Sequence, residues 1–128
     1  MIYIPRILVM DNDENILSAF EDYLKKKNCY MVGVPTVESG IKKIKQQNFD
    51  LLITDVRVSS DSGMKFILQA KKLQSDLPVI AITSYPDEIN EANMKNYGAD
   101  YFFIKPLELR KLDRAVSRCL KINHKKIS

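Results

Sequence analysis

An unbroken run of apolar residues that ends in a carboxylate constrains the fold of this chain more than any other feature. Residues 51–53 are Leu, Leu and Ile, Asp55 follows them, and a helical pattern begins at Met64. A run of this kind followed by a helix is typical of a strand buried on both faces of a parallel sheet. In open parallel sheets, ligand-binding and catalytic groups collect just beyond the carboxyl ends of the strands. Asp55 is therefore a candidate site residue, although a carboxylate that caps the following helix would fit the same turn.

The same strand-then-helix pattern recurs along the whole chain. The predicted strands are Ile7–Met10, Tyr30–Val34, Leu51–Asp55, Val79–Ile82 and Tyr101–Ile104. Apolar residues at helical spacing follow each strand and predict a helix there. The apolar stripe is weakest in the fourth predicted helix, which runs from about Glu88 to Tyr97. Five alternating strands and helices predict an α/β, flavodoxin-like, doubly wound sheet of five parallel strands in the order 2-1-3-4-5, with five helices. The third helix is expected to bury Phe66, Ile67, Ala70 and Leu73, and the fifth Leu109, Leu112, Val116, Cys119 and Leu120.

Length and composition narrow the class of protein. A chain of 128 residues is expected to form one domain, which we place at residues 1–121, followed by a flexible basic tail at 122–128. No apolar run approaches the length of a membrane span and the N-terminus lacks a secretory pattern, so we expect a cytoplasmic protein. The net charge of +4 is too small to indicate nucleic-acid binding by itself. The two cysteines, Cys29 and Cys119, match no metal or redox spacing and are interpreted as buried reduced thiols.

Four of the predicted strands end in polar residues whose chemistry is complementary. The switch point of the predicted strand order lies between the first and third strands, so Asp11, Asn12 and Asp55 should lie side by side. Their carboxylate and amide oxygens suit a hard cation such as Mg²⁺. Thr83 and Lys105 add a hydroxyl and an ammonium group, although singly each would be read as a turn residue and a solvated lysine. Together these groups are the parts needed for phosphoryl transfer to an aspartate.

The chain resembles the receiver domains of two-component response regulators over nearly its whole length. Five motifs in order carry the resemblance: ILVMDND (7–13), DLLITD (50–55), Gly63 eight residues beyond Asp55, PVIAITS (78–84), and YGAD with YFFIKP (97–106). The resemblance implies that Asp55 accepts a phosphoryl group and that Lys105 binds its oxygens, with a cis bond to Pro106. It also implies that Thr83 supplies the switch hydroxyl, beside the small Ser84.

The cofactor implied by the resemblance is Mg²⁺. Its ligands would be Asp11, Asn12, Asp55 and the backbone carbonyl of Arg57. Asn12 departs from the family pattern, which usually has an aspartate there; an amide oxygen can still bind the metal, but one negative charge is missing. Phe102 takes the position of a switch aromatic residue that is often tyrosine, so it can rotate but cannot donate a hydroxyl hydrogen bond.

Two large side chains are expected to tune the loss of the phosphoryl group. Arg57 and Tyr85 lie two residues beyond Asp55 and Thr83, and by the resemblance these positions flank the approach of water. Neither is an evident base, and Arg57 could pair with the phosphoryl oxygens. Slow self-dephosphorylation is therefore predicted, unless both side chains point into solvent and the rate is set elsewhere.

These observations predict a signalling switch whose own activity is at most self-phosphotransfer and slow autodephosphorylation. The expected partners are a sensor histidine kinase or histidine phosphotransfer protein and a downstream effector protein or domain. The effector would read a surface formed by the fourth helix, fifth strand and fifth helix, and the resemblance also allows a phosphorylation-dependent dimer. No contact with nucleic acid or membrane is expected, and the basic residues of the last helix are interpreted as a solvated face.

Two other functions remain open on the same fold. Because of Asn12, a phosphate-independent interaction scaffold, or pseudo-receiver, is the first alternative. The second is a flavin-binding electron carrier. Such a carrier needs a phosphate loop rich in hydroxyls and glycine after the first strand, whereas this chain has the sequence DNDEN there.

Overall fold

A computed structural model describes residues 3–56, 62–84 and 95–127 of the protein. From the first strand to the fourth, strands and helices alternate in these residues, as predicted. The strands are β1 (Arg6–Met10), β2 (Tyr30–Val34), β3 (Leu51–Asp55), β4 (Val79–Thr83) and β5 (Tyr101–Ile104). The helices are α1 (Glu14–Lys26), α2 (Val37–Gln46), α3 (Ser62–Leu73) and α4 (Leu109–Ile127). Each strand agrees with its predicted bounds to within one residue.

All neighbouring strands are parallel and stand in the order β2-β1-β3-β4-β5. The predicted flavodoxin-like topology is thereby confirmed. Four of the five predicted helices lie in the described part of the chain. Most of the other one, predicted from about Glu88 to Tyr97, falls on residues 85–94, which are outside the described residues. The turn before β5 contains Gly98 with a φ of 104°, a conformation that favours glycine and fits the helix end predicted there.

Alternate residues of the central strands enter two separate hydrophobic cores. Ile7 and Val9 point to one face of the sheet, where α1 and α4 cover them, while Leu8 and Met10 point to the other face, beneath α2 and α3. This is the layering of a doubly wound sheet, because right-handed crossovers place helices on both faces. The apolar runs need no polar alternation, since neither face of β1, β3 or β4 meets water.

Short polar residues fix where two of the helices begin. The Asp13 carboxylate accepts the backbone N–H of Asn15 at 2.9 Å and caps α1. Thr36 and Ser39 form a reciprocal capping box at the start of α2. The loop between β1 and α1 is thus held at the edge where the candidate site lies.

Two apolar residues that were predicted to be buried are exposed. Leu73 ends α3 and is 46% exposed, and Leu109 begins α4 and is 61% exposed. Both lie in terminal turns, which extend past the sheet and so are covered less than the helix centres. The backbone of α4 continues to Ile127, through most of the segment predicted as a flexible tail; the flexibility of 122–128 and the domain boundary at 121 remain predictions.

Cys119 lies on the buried face of α4, and its burial raises the pKa of the thiol to about 12. Cys29 is only half-buried, and desolvation raises its pKa as well. Both thiols are free and held in the protonated form, in line with the expected reduced cysteines. Within the described residues, no helix is long and apolar enough to span a membrane.

Candidate functional site

The register of the sheet brings four predicted site residues to one edge. Met10 pairs with Thr54, so Asp11 and Asp55 follow on neighbouring strands. On the other side of β3, Asp55 pairs with Ile82, the residue before Thr83. Thr83 in turn pairs with Ile104, the residue before Lys105. The carboxyl ends of β1, β3, β4 and β5 therefore carry two carboxylates, a hydroxyl and an ammonium group along one edge.

Backbone hydrogen bonds hold these strand ends in place. The N–H of Asp11 donates to Val34 O at 3.1 Å, and the N–H of Lys105 donates to Thr83 O at 2.8 Å. The residue after Asp55 is fixed in the same way, since Val56 N–H donates to Ile82 O at 2.7 Å.

Gly63 allows close packing next to Asp55. A Cβ atom at Gly63 would lie 3.1 Å from Val56 Cα, closer than side chains normally pack against backbone. The missing side chain lets the start of α3 pass against the backbone next to Asp55. This contact gives a physical reason for the glycine that the sequence places eight residues after Asp55.

Lys105 is the cation that compensates the two carboxylates. Its Nζ lies 3.1 Å from Asp11 Oδ2 and 3.7 Å from Asp55 Oδ2. The Asp11 and Asp55 side chains are only 4% and 9% exposed, whereas Lys105 is 21% exposed. Two carboxylates with so little access to water need a positive partner, because isolated charges are costly to bury. The three groups together carry a net charge of −1.

The other Asp11 oxygen is also engaged. Asp11 Oδ1 accepts the backbone N–H of Asp13 at 2.9 Å, which orients the carboxylate from the loop side. Asn12 lies between them and is exposed at the edge of the site.

The predicted switch residues occupy three different environments. Thr83 is completely buried, Ser84 beside it is exposed, and Phe102 is half-buried against the core beneath α2 and α3. The bond between Lys105 and Pro106 is cis, as predicted. Two other predicted residues, Arg57 and Tyr85, lie outside the described residues.

The donor set at this edge fits a hard cation. In the described ranges, no group of three His, Cys, Asp or Glu side chains is arranged to hold a metal. Asp11 and Asp55 are two carboxylates at this edge, and the residue that follows Asp11 is the amide Asn12. Mg²⁺ commonly binds proteins through one or two carboxylates and keeps several waters. Asp11 and Asp55 provide two such carboxylates.

One polar network between helices was not foreseen from the sequence. Tyr23 Oη donates to Asp113 Oδ1 at 2.5 Å, and Lys27 Nζ donates to the same oxygen at 3.0 Å and to Ser117 Oγ at 2.8 Å. The hydrogen bonds from Tyr23 and Lys27 lower the pKa of Asp113, so the carboxylate is ionised at neutral pH. The network joins α1 to α4 across about 90 residues of chain. No local pattern in the sequence signals such a contact.

Comparisons with known proteins agree with this geometry. The profile of the response regulator receiver domain family matches residues 7–117. The transcriptional regulatory protein AfsQ1 of Streptomyces coelicolor is 26% identical over 117 residues, which cover 91% of this chain and 52% of AfsQ1. A CheY-like receiver domain protein from Methanospirillum hungatei has a TM-score of 0.86 and 26% identity, covering 97% of this chain and 99% of that one. The response regulator TrrA of Thermotoga maritima, solved with Mg²⁺ and BeF, has a TM-score of 0.80 and 25% identity, covering 91% of this chain and all of that one.

The chain belongs to the response regulator receiver domain family of two-component systems. It spans about half the length of the curated relatives that it matches.

Proposed function

We propose that this receiver domain takes a phosphoryl group from a sensor histidine kinase or a histidine phosphotransfer protein onto Asp55. The observation that carries the proposal is the position of Lys105 Nζ, 3.1 Å from Asp11 and 3.7 Å from Asp55. A cation so placed meets the negative charge of an incoming phosphoryl group and lets the Asp55 carboxylate approach it. Thr83 lies at the neighbouring strand end, where its hydroxyl can donate to a phosphoryl oxygen.

In the proposed reaction, a carboxylate oxygen of Asp55 attacks phosphorus and forms an O–P bond. The P–N bond to the donor histidine breaks at the same time, and the departing imidazole nitrogen takes up a proton. Lys105 neutralises charge on the phosphoryl oxygens. This new contact replaces the ion pair that Lys105 makes with the Asp55 carboxylate before the reaction. Mg²⁺, held by Asp11, Asn12 and Asp55, would supply further positive charge to the same oxygens when bound.

The output would be a changed surface rather than a chemical product. Phosphorylation replaces a carboxylate paired with Lys105 by a larger, more negative group, to which Thr83 and Lys105 can both bind. We infer that Phe102, on β5 beside the core, takes part in passing this change to β5 and α4. We propose that an effector, either a separate protein or a following domain, binds the changed surface. We also propose that phosphorylation can promote a dimer.

Beryllofluoride with Mg²⁺ offers a test that does not depend on turnover. If the proposal is right, adding the pair should shift the amide NMR signals of residues around Asp55, Thr83 and Lys105, and also those of β5 and α4. Beryllofluoride without Mg²⁺ serves as the control. A spectrum that stays unchanged with both present would point instead to the phosphate-independent scaffold.

Asn12 should weaken Mg²⁺ binding relative to an aspartate at the same position. Asn12→Asp restores an anionic ligand beside Asp11 and Asp55, and unit charges about 4 Å apart interact by about 4 kcal/mol at an effective dielectric near 20, before desolvation offsets most of it. We therefore expect the variant to bind Mg²⁺ about tenfold or more tightly. Because the chain has no Trp, the measurement is a Mg²⁺ titration followed by amide NMR.

Asn15→Asp, on the exposed first turn of α1, is the matched control for Asn12→Asp. It makes the same chemical change away from the donor set and should leave the affinity close to that of the parent. Equal affinities for the parent and Asn12→Asp would contradict the assigned role of Asn12.

The phosphoryl group is expected to be lost slowly. The proposal rests on Arg57 and Tyr85, large side chains that provide no base to activate water. The double variant Arg57→Asn/Tyr85→Glu introduces groups that can orient water and should decay about tenfold faster or more. Decay of the phosphorylated protein after removal of the donor gives the rate, with Tyr30→Glu at the far edge of the sheet as the control. A double variant that decays no faster than the parent would refute the gating role.

A further inference from the structure

The outward face of α4 carries a continuous row of cations. Arg110, Arg114, Arg118 and Lys121 follow one another at spacings of four, four and three residues, and all four are exposed. We call them the outer basic stripe. Residues at these spacings lie on one face of a helix, so the stripe is about 17 Å long, with about 6 Å between its first members.

The described contacts leave the stripe without a neutralising partner. Lys111, on the flank of α4, pairs with Glu108 at 3.4 Å, and Asp113 is turned toward α1 by Tyr23 and Lys27. No ion pair in the described residues involves a member of the stripe. Like charges at these spacings destabilise a helix, so the row works against the stability of α4. A partner of opposite charge would remove that repulsion.

The surroundings of the stripe favour a narrow partner. The network from Tyr23 and Lys27 to Asp113 fixes α1 beside α4. The outer surface of α1 mixes lysines with the exposed carboxylates Glu21 and Asp22. On the side of α1, the purely basic surface therefore ends at the edge of α4. A broad polyanion such as duplex nucleic acid or an anionic membrane would meet the carboxylates of α1 as well.

We propose that the outer basic stripe binds an acidic α-helix of a partner protein, with carboxylates repeated every three or four residues along one face. Two helices lying side by side present charges at the same rise per residue, so several ion pairs can form along the contact. Three of the four cations are arginines, which bind carboxylates through two parallel hydrogen bonds. The inference specifies the partner chemistry of α4 within the proposed output surface. The biological role of this binding rests on the proposed phosphorylation switch. The binding itself does not, since it is tested on the unphosphorylated chain.

The probe is a fluorescein-labelled, alanine-based helical peptide of about 20 residues with glutamates on one face. A second peptide has the same composition with its glutamates distributed around the helix. By fluorescence anisotropy, the full chain should bind the patterned peptide about tenfold more tightly than the distributed one. Arg114→Gln/Arg118→Gln should lose about tenfold in affinity for the patterned peptide. Lys25→Gln/Lys26→Gln, which removes two exposed cations from α1, should retain it.

Three results would overturn the proposal. Equal binding of the two peptides would show that only net charge matters. An equal loss in the α1 and α4 variants would show that the stripe is not the binding surface. Tighter binding of a duplex oligonucleotide or of vesicles containing phosphatidylserine, lost in Arg114→Gln/Arg118→Gln, would assign the stripe to a polyanion instead. Failure of Asp55 phosphorylation would leave this measurement unaffected, so the two proposals are separable.

Discussion

Asp55→Ala is expected to abolish phosphorylation by acetyl phosphate while leaving the domain folded. In the proposed reaction the carboxylate of Asp55 supplies the attacking oxygen, and the described part of the site offers no accessible substitute for it. Asp11, the other carboxylate there, is almost completely buried and engaged by both Lys105 and Asp13. The expected result is loss of incorporated phosphate from labelled acetyl phosphate, with an amide NMR spectrum that remains dispersed.

Asp22→Asn is the matched control for the loss of a carboxylate. Asp22 is exposed on α1, so its removal should leave the phosphorylation rate at that of the parent. If Asp55→Ala incorporated phosphate at the parent rate, the assignment of the phosphoacceptor would be wrong. Asp55→Asn gives a second, more conservative variant in case alanine disturbs the packing of β3.

Lys105→Met should produce the second large effect, on both stability and reaction rate. Removing the ammonium takes away the cation that lies between the nearly buried carboxylates of Asp11 and Asp55, which should lower the free energy of unfolding by about 1–3 kcal/mol. Added Mg²⁺ should recover more stability in this variant than in the parent, because Lys105 no longer competes for Asp11 Oδ2. The phosphorylation rate should fall by about 100-fold, the effect of losing one preorganised group that stabilises transition-state charge.

Thermal unfolding with and without Mg²⁺ measures the loss of stability and its recovery by the metal. The kinetics of phosphorylation by acetyl phosphate measure the change in rate. Lys27→Met is the matched control, since Lys27 also pairs with an aspartate, Asp113, but on a surface where that partner is 48% exposed. It should lose less stability and show the same response to Mg²⁺ as the parent. If Lys105→Met and the parent gained equally from Mg²⁺, Lys105 would not compete with the metal for Asp11.

The placement of the candidate site was predictable because it depends on sheet topology rather than on side-chain packing. Apolar runs such as residues 51–53 show where strands are buried, and parallel strands bring their carboxyl ends to one edge. Asp11, Asp55, Thr83 and Lys105 each follow such a run, so their proximity required only the correct strand order. The cis bond at Pro106 was implied by the family resemblance and not by the sheet topology.

Features that depend on long-range contacts or on helix ends were not predictable. The contact of Lys105 with Asp11, rather than with Asp55 alone, depends on the conformation of a long side chain. Asp113 meets Tyr23 across about 90 residues, without any local pattern. Leu109 fits the apolar stripe of α4 by its spacing, yet it is exposed because periodicity does not reveal where the sheet stops covering a helix.

Intact-mass measurement of the parent protein after incubation with acetyl phosphate shows whether Asp55 accepts a phosphoryl group. With Mg²⁺ present, we expect a gain of one phosphoryl group, which peptide mapping should place on Asp55. With Mg²⁺ removed by a chelator, the gain should be much smaller. No gain in the presence of Mg²⁺, under conditions in which the amide spectrum shows a folded domain, would contradict the account, as would a phosphoryl group on a residue other than Asp55.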